Sequence, residues 1–183
     1  MKTKLVILAA MFSVALTSCK NEAETKKAEP SQPEVKQNFS VELDVVAEKD
    51  DNFAMYFTED GSINFSLEHV AWMPVKGGTA SQKVIYDLPE ENIPTHIRLD
   101  FGLKKGAEQG DVTLHHVKIT NYGKSFEFKG SDFFTYFAVN DATKTEVDRT
   151  NGTVKFLKNP NATNTPFYYP MPALIDEIAK ITK

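Results

Sequence analysis

Phe39-Ser40-Val41-Glu42-Leu43-Asp44-Val45 decides the fold class. Apolar side chains occupy every second position, and small or charged ones fill the gaps. In an extended chain successive side chains point to opposite faces, so this segment buries one face and wets the other. That is the signature of a strand packed on one side, as in an antiparallel sheet with a solvated outer face.

Outward from it, the same reading predicts strands over residues 53–57, 63–72, 83–88, 96–101, 112–120, 125–128, 133–139 and 154–157. The punctuation between them suits antiparallel pairing. Glu59-Asp60-Gly61 and Tyr122-Gly123-Lys124 are short turn signals, while Gly77-Gly78 and residues 106–110 mark longer loops. Some nine strands at this spacing, in a chain with 13 Phe and 6 Tyr, make an all-β fold: an antiparallel β-sandwich over residues 38–183. One segment breaks the pattern. After Pro170 and Pro172, Ala173-Leu174-Ile175, Ile178 and Ile181 recur at helical spacing, which predicts a short amphipathic C-terminal helix over Pro172–Thr182. Its apolar stripe fits a cap on the sandwich or, alternatively, a partner.

The chain opens with Lys2 and Lys4, then an apolar run over residues 5–15, then Leu16-Thr17-Ser18-Cys19. This is the order of a secretory leader, and the run is too short to cross a bilayer, which takes about 20 apolar residues. Leu16-Thr17-Ser18-Cys19 resembles the lipobox of bacterial lipoproteins, in which a peptidase cuts before a diacylglycerol-bearing cysteine. The resemblance implies a signal peptide over residues 1–18, lipidation of Cys19 and a membrane-anchored protein of the cell envelope, with the outer membrane expected. Residues 19–37 then form a tether. They are rich in Lys, Glu and Ala, carry Pro30 and Pro33, and hold Val35 as their only sizeable apolar side chain, too little to offset ordering entropy. Lys20, Glu22 and Glu24 weakly resemble the charged signals that follow the cysteine in some surface-displayed lipoproteins; a plain soluble linker is the other reading.

Cys19 is the only cysteine, which excludes an intramolecular disulfide, thiol catalysis and cysteine-based metal sites. The chain holds 21 Lys plus Arg against 25 Asp plus Glu, and without Lys2 and Lys4 of the leader 19 remain against 25, a mildly acidic balance. Nucleic acid is not an expected partner, since no basic cluster is visible. The membrane is met through the anchor.

The middle of the chain runs Val84-Ile85-Tyr86-Asp87-Leu88-Pro89, then Ile97-Arg98-Leu99-Asp100-Phe101-Gly102, then Gly110-Asp111-Val112 and Val117-Lys118-Ile119. This order resembles the galactose-binding-like jelly roll shared by many carbohydrate-binding modules. The resemblance covers residues 83–120 and implies a jelly-roll sandwich with a polysaccharide as a possible ligand. It also implies a structural calcium ion, for which Asp50-Asp51-Asn52 or Gly110-Asp111 could supply hard oxygen ligands. No other cofactor is expected.

Several residues invite chemistry. Ile97, Leu99 and Phe101 share one face of a strand, and His96, Arg98 and Asp100 the other, so Arg98 and Asp100 are expected to pair on the exposed side. Val112 and Leu114 have one parity while Val117 and Ile119 have the other, which predicts a β-bulge at His115-His116 that turns both rings to one side. If the strand of His96 and Asp100 lies beside them, a mixed histidine and carboxylate metal site could form; solvent-facing histidines are the alternative. For sugar stacking the flat side chains are Trp72, Tyr86, Tyr122, Tyr136, Tyr168 and Tyr169, with Trp72 foremost because it precedes Pro74 and the Gly77-Gly78 loop. Core packing is the competing role for each, and Phe133, Phe134 and Phe137 are assigned to the core. A serine-hydrolase elbow, a phosphate loop and a dinucleotide fingerprint are absent.

The leading expectation is therefore a non-enzymatic, lipid-anchored, glycan-binding module, with Trp72, Tyr86, Arg98, Asp100 and Tyr122 as ligand-binding candidates. An accessory subunit of an envelope protein complex is the second. A small envelope glycan hydrolase or lyase built on His96, His115 and His116 is the third, though it would need two carboxylates about 5–10 Å apart across a cleft.

Overall fold

The computed structural model describes residues 37–183. The expected leader, Cys19 and nearly all of the expected tether lie outside the described residues.

The alternating segment at 39–45 becomes β1 (Ser40–Ala47), and its phase holds: Val41, Leu43 and Val45 are fully buried. β1 lies inside a six-stranded antiparallel sheet, between β4 (Gln82–Asp87) and β6 (Val112–Asn121). The far side of β6 carries two partners in succession. β9 (Thr153–Lys158) pairs with residues 112–114 and in turn with β8 (Thr143–Asp148), while β7 (Lys124–Lys129) pairs with residues 116–121. The second sheet is four-stranded, in the order β10 (Phe167–Tyr168), β5 (His96–Asp100), β2 (Asp51–Thr58) and β3 (Val70–Val75), again antiparallel. Between the two sheets Val41, Leu43, Met55, Ile97, Leu99 and Ile119 share one core, so the fold is an all-β sandwich.

β6 changes partner where the sequence predicts a bulge. Asp44 faces His116 and Val45 faces Leu114, which leaves His115 as the extra residue, and Leu114 and Val117 can both enter the core. At the same point the chain leaves β7 through Gly130, where a Cβ would come within 1.9 Å of the Leu114 carbonyl oxygen. Only glycine allows that approach. The β6–β7 turn is Tyr122-Gly123, two residues with positive φ (45° and 80°), as tight hairpins of right-twisted strands require.

Two predicted strands are corrected. Residues 63–69 form a loop, and the strand starts only at Val70. Hydroxyl side chains bend this loop: the Asn64 and Glu68 amides donate to the Ser62 and Ser66 Oγ, bonds that compete with a sheet ladder. Within 133–139 the chain makes a helical turn, α1 (Phe133–Tyr136), and then an extended Phe137 that bridges to Pro170; Phe133 and Phe137 stack at 4.6 Å as i and i+4 neighbours. β8 and β10 are additions: β8 is an edge strand with a charged pattern, and β10 has two residues. The terminal helix α2 (Pro172–Thr182) has the predicted bounds and buries Leu174, Ile178 and Ile181. Asn121 of β6 donates to the carbonyl of Ile181 near its C-terminal end.

Candidate functional site

The outer face of the four-stranded sheet gathers a charged pair and several aromatic rings around Arg98. Its geometry follows from register. Phe53, Met55 and Phe57 of β2 point into the core, which turns Tyr56 outward, and Tyr56 lies directly opposite Arg98 of β5. The next outward row runs Trp72, Ala54, Asp100 and Phe167 across β3, β2, β5 and β10.

Arg98 is the centre of this face. Its Nε and Nη2 donate to Asp100 Oδ1 and Oδ2 at 2.8 and 2.7 Å, a bidentate pair. Its guanidinium lies 4.1 Å from the centre of the Tyr56 ring, with the rings of Phe167, Tyr169 and Phe65 at 5.4, 5.7 and 5.8 Å. Phe65 arrives on the 63–69 loop and packs on Tyr169 at 5.6 Å. The predicted pairing of Arg98 with Asp100 is thus present, but the exposed setting is corrected: the side chains are only 17% and 9% exposed. Aromatic rings cover the pair and remove it from water. Burial raises the Asp100 pKa, against the lowering effect of the Arg98 hydrogen bonds and charge. Burial opposes the Arg98 charge too, but hydrogen bonding to Asp100 and Tyr169 outweighs it and lifts the guanidinium pKa further.

Trp72 is the exposed member of this cluster, at 40%. Its ring meets Tyr56 edge to face at 6.0 Å. Trp72 is therefore seated on Tyr56, which in turn carries Arg98, and all three are on strands, where position is held by the sheet.

The other candidates are dispersed. Tyr86 is a core residue of β4, 1% exposed, and burial pushes its phenol pKa upward, so its place among ligand-binding residues is corrected. Parity explains this: Tyr86 pairs with the inward Val41. Tyr122 is exposed but belongs to the β6–β7 turn of the other sheet, beside the C-terminal end of α2 rather than beside Trp72. Tyr168 is buried and bonds Thr143 Oγ1 through its hydroxyl at 2.7 Å, and Tyr136 packs on Phe128 and Phe126. Tyr56, Phe65 and Phe167 were missed from sequence; the parity of β2 would have pointed to Tyr56.

The drawn metal site is not assembled. His115 and His116 lie on β6 of the six-stranded sheet, whereas His96 and Asp100 lie on β5 of the other, facing away from the shared core. His116 approaches Glu127 at 3.7 Å, and His96 Nδ1 is 3.1 Å from Thr95 Oγ1. Among the described residues no group of three or more His, Cys, Asp or Glu is placed to hold a metal ion. His96 is thus in a different sheet from His115 and His116, the three residues named for the hydrolase or lyase reading. The loop acids named for calcium already accept hydrogen bonds within the protein, Asp51 through Oδ1 alone. Asp50 accepts from Lys76 Nζ and the Gly77 amide, Asp51 from the Asn52 and Leu103 amides, and Asp111 from the Lys158 amide with Lys155 Nζ at 3.3 Å.

No family model, curated protein or solved structure matches this chain.

Proposed function

We propose that this protein is a non-enzymatic binding module of the bacterial cell envelope, anchored by a lipidated Cys19, that holds a polysaccharide against the outer face of its four-stranded sheet. The observation that carries the reading is Trp72, a half-exposed indole on a strand, braced by Tyr56, on whose ring Arg98 rests. A braced aromatic offers a large flat contact area and loses little conformational entropy on binding. Pyranose rings present a matching apolar face. The galactose-binding-like pattern over residues 83–120 points the same way, and the leader with its polar tether supports an envelope address.

The test is a screen of the full-length protein against immobilised polysaccharides of varied linkage and charge. Saturable retention on at least one, competed by the same sugar in solution, is the expected result. Silence across the panel from protein with a cooperative melting transition overturns the glycan reading.

A second reading, an accessory subunit of an envelope protein complex, draws on exposed apolar side chains near the same face. Ile63 and Leu67 are on the loop that carries Phe65, and Val139 and Met171 are in segments that pair beside Tyr169, where the Ala138 amide bonds the Tyr169 carbonyl. Cross-linking in cells, with the parent and with an Ile63→Asp, Leu67→Asp variant, separates the two: a partner captured by the parent and lost in the variant favours the complex.

A further inference from the structure

The aromatic face does not end at Trp72. Two residues along β3, about 7 Å at strand rise, Pro74 points to the same side, and its partner Asn52 stands beside it. There a groove of about 620 Å³ opens between Asn52, Pro74, Leu103 and Lys104, with Asp50, Asp51, Lys76 and Gln82 on its rim. Pro74 and Leu103, both exposed, give it apolar walls.

The polar rim of the groove is fixed in advance. Gln82 accepts the Lys76 amide through Oε1 and donates Nε2 to the Lys76 carbonyl, so its side chain pins the wall. Asp51 holds the Leu103 amide at 3.0 Å. Lys76 Nζ rests on the Asp50 carboxylate at 2.6 Å and Lys104 Nζ on the Asp50 carbonyl at 2.8 Å. An ammonium has three N–H donors, so both lysines keep donors for a ligand. The charges balance, with two ammonium groups against two carboxylates in the lining. Such a groove offers no net attraction to an anion, while apolar walls under a donor rim match an uncharged ring that has one C–H face and a fringe of hydroxyls.

We infer that the groove beside Pro74 is an extension subsite that takes further units of a neutral glycan chain whose first unit stacks on Trp72. The inference rests on the glycan reading above and deepens it by assigning ligand charge and chain length. Lys104 and Asn52 donate to hydroxyl oxygens, and Leu103 and Pro74 pack on ring faces.

The test is titration of the full-length protein with neutral gluco-, xylo- and manno-oligosaccharides of two to six units, and with uronic-acid oligomers of the same lengths. For the neutral series that binds, affinity should rise about tenfold from the shortest to the longest member. Lys104→Ala and Leu103→Ala, both surface changes, should each remove most of that gain and leave the shortest member unaffected. Trp72→Ala should weaken every member. If affinity is independent of length and insensitive to both groove variants while Trp72→Ala still weakens binding, the groove inference fails and the glycan reading stands. If only uronic-acid oligomers bind, and salt abolishes it, the neutral class is wrong. If no oligosaccharide of either series binds, the inference falls with the reading beneath it.

Discussion

Arg98 lies with its guanidinium 4.1 Å from the centre of the Tyr56 ring while both of its forward nitrogens hold Asp100. An ion pair so enclosed is no surface ornament. Its value is one-sided: an intact buried pair adds little over apolar packing, but removing one partner strands the other charge.

Asp100→Ala should therefore cost about 3–5 kcal/mol in urea unfolding, because it leaves Arg98 without its carboxylate under a cover of rings. The double variant Arg98→Met with Asp100→Leu should cost less than Asp100→Ala alone. A double variant at least as unstable as the single one would show that Arg98 contributes chiefly by packing on Tyr56.

Gly130→Ala should be among the most damaging single changes in the domain. The new Cβ would meet the Leu114 carbonyl oxygen at 1.9 Å and the Val154 nitrogen at 3.1 Å, at the point where β7 gives way to β9 on the edge of β6. Both groups are backbone, so relief requires the strands to part. A loss of about 3 kcal/mol or more is expected in denaturant titration; a loss under about 1 kcal/mol would mean that the bulge at His115 absorbs the strain.

Acid should weaken the fold through its turns. Backbone amides of Ser62 and of Asn151 and Thr150 hold the Asp60 and Asp148 carboxyls below their ordinary value of 3.8. A depressed folded pKa gives stability that is present above 3.8 and lost as pH falls through the lower folded value. Asp100 has the opposite sign, since burial raises its pKa, and its own titration favours the folded state as pH drops. Unfolding midpoints from about pH 6 to about pH 2.5 should fall at the acid end, and Asp148→Asn should flatten that fall. An unchanged slope would remove Asp148 from the account.

How much of this was legible depends on which physics wrote each segment. β1, β4, β5 and β6 could be read because a one-sided core imposes period two, and the flip of parity at His115-His116 marks the bulge. α2 could be read because a period near 3.6 follows two prolines. Phe133-Phe134 and Phe137 misled because aromatic residues suit strands, whereas stacking of Phe133 on Phe137 needs one helical turn. β8 carried no signal: Lys144, Glu146 and Asp148 are exposed, and backbone pairing to β9 alone makes it a strand. Trp72, Arg98 and Asp100 share one outer face of the four-stranded sheet, but Tyr86 was not separable from them in the sequence, since an isolated tyrosine does not reveal its face until register is known. Tyr169 and Phe65 reach Arg98 from distant parts of the chain, and no local pattern encodes that meeting.

The proposed anchor has its own test. Cys19→Ser removes the thiol that would accept the lipid and leaves Lys2, Lys4 and the apolar run over residues 5–15 intact. Two acyl chains, at about 0.8 kcal/mol per buried methylene, hold a protein stably where one is marginal. The variant should lose fatty-acid labelling and leave the membrane fraction on cell fractionation; equal labelling of both forms would make Cys19 an incidental residue.

The most direct measurement of the central claim is calorimetric titration of the full-length protein with the glycan retained in the polysaccharide screen, comparing Trp72→Ala with Tyr122→Ala. Both remove an exposed aromatic ring, one from the braced face of the four-stranded sheet and one from a turn of the other sheet. The account predicts that Trp72→Ala weakens binding by about tenfold or more while Tyr122→Ala binds like the parent. Full affinity in Trp72→Ala, or its loss in Tyr122→Ala alone, would contradict it.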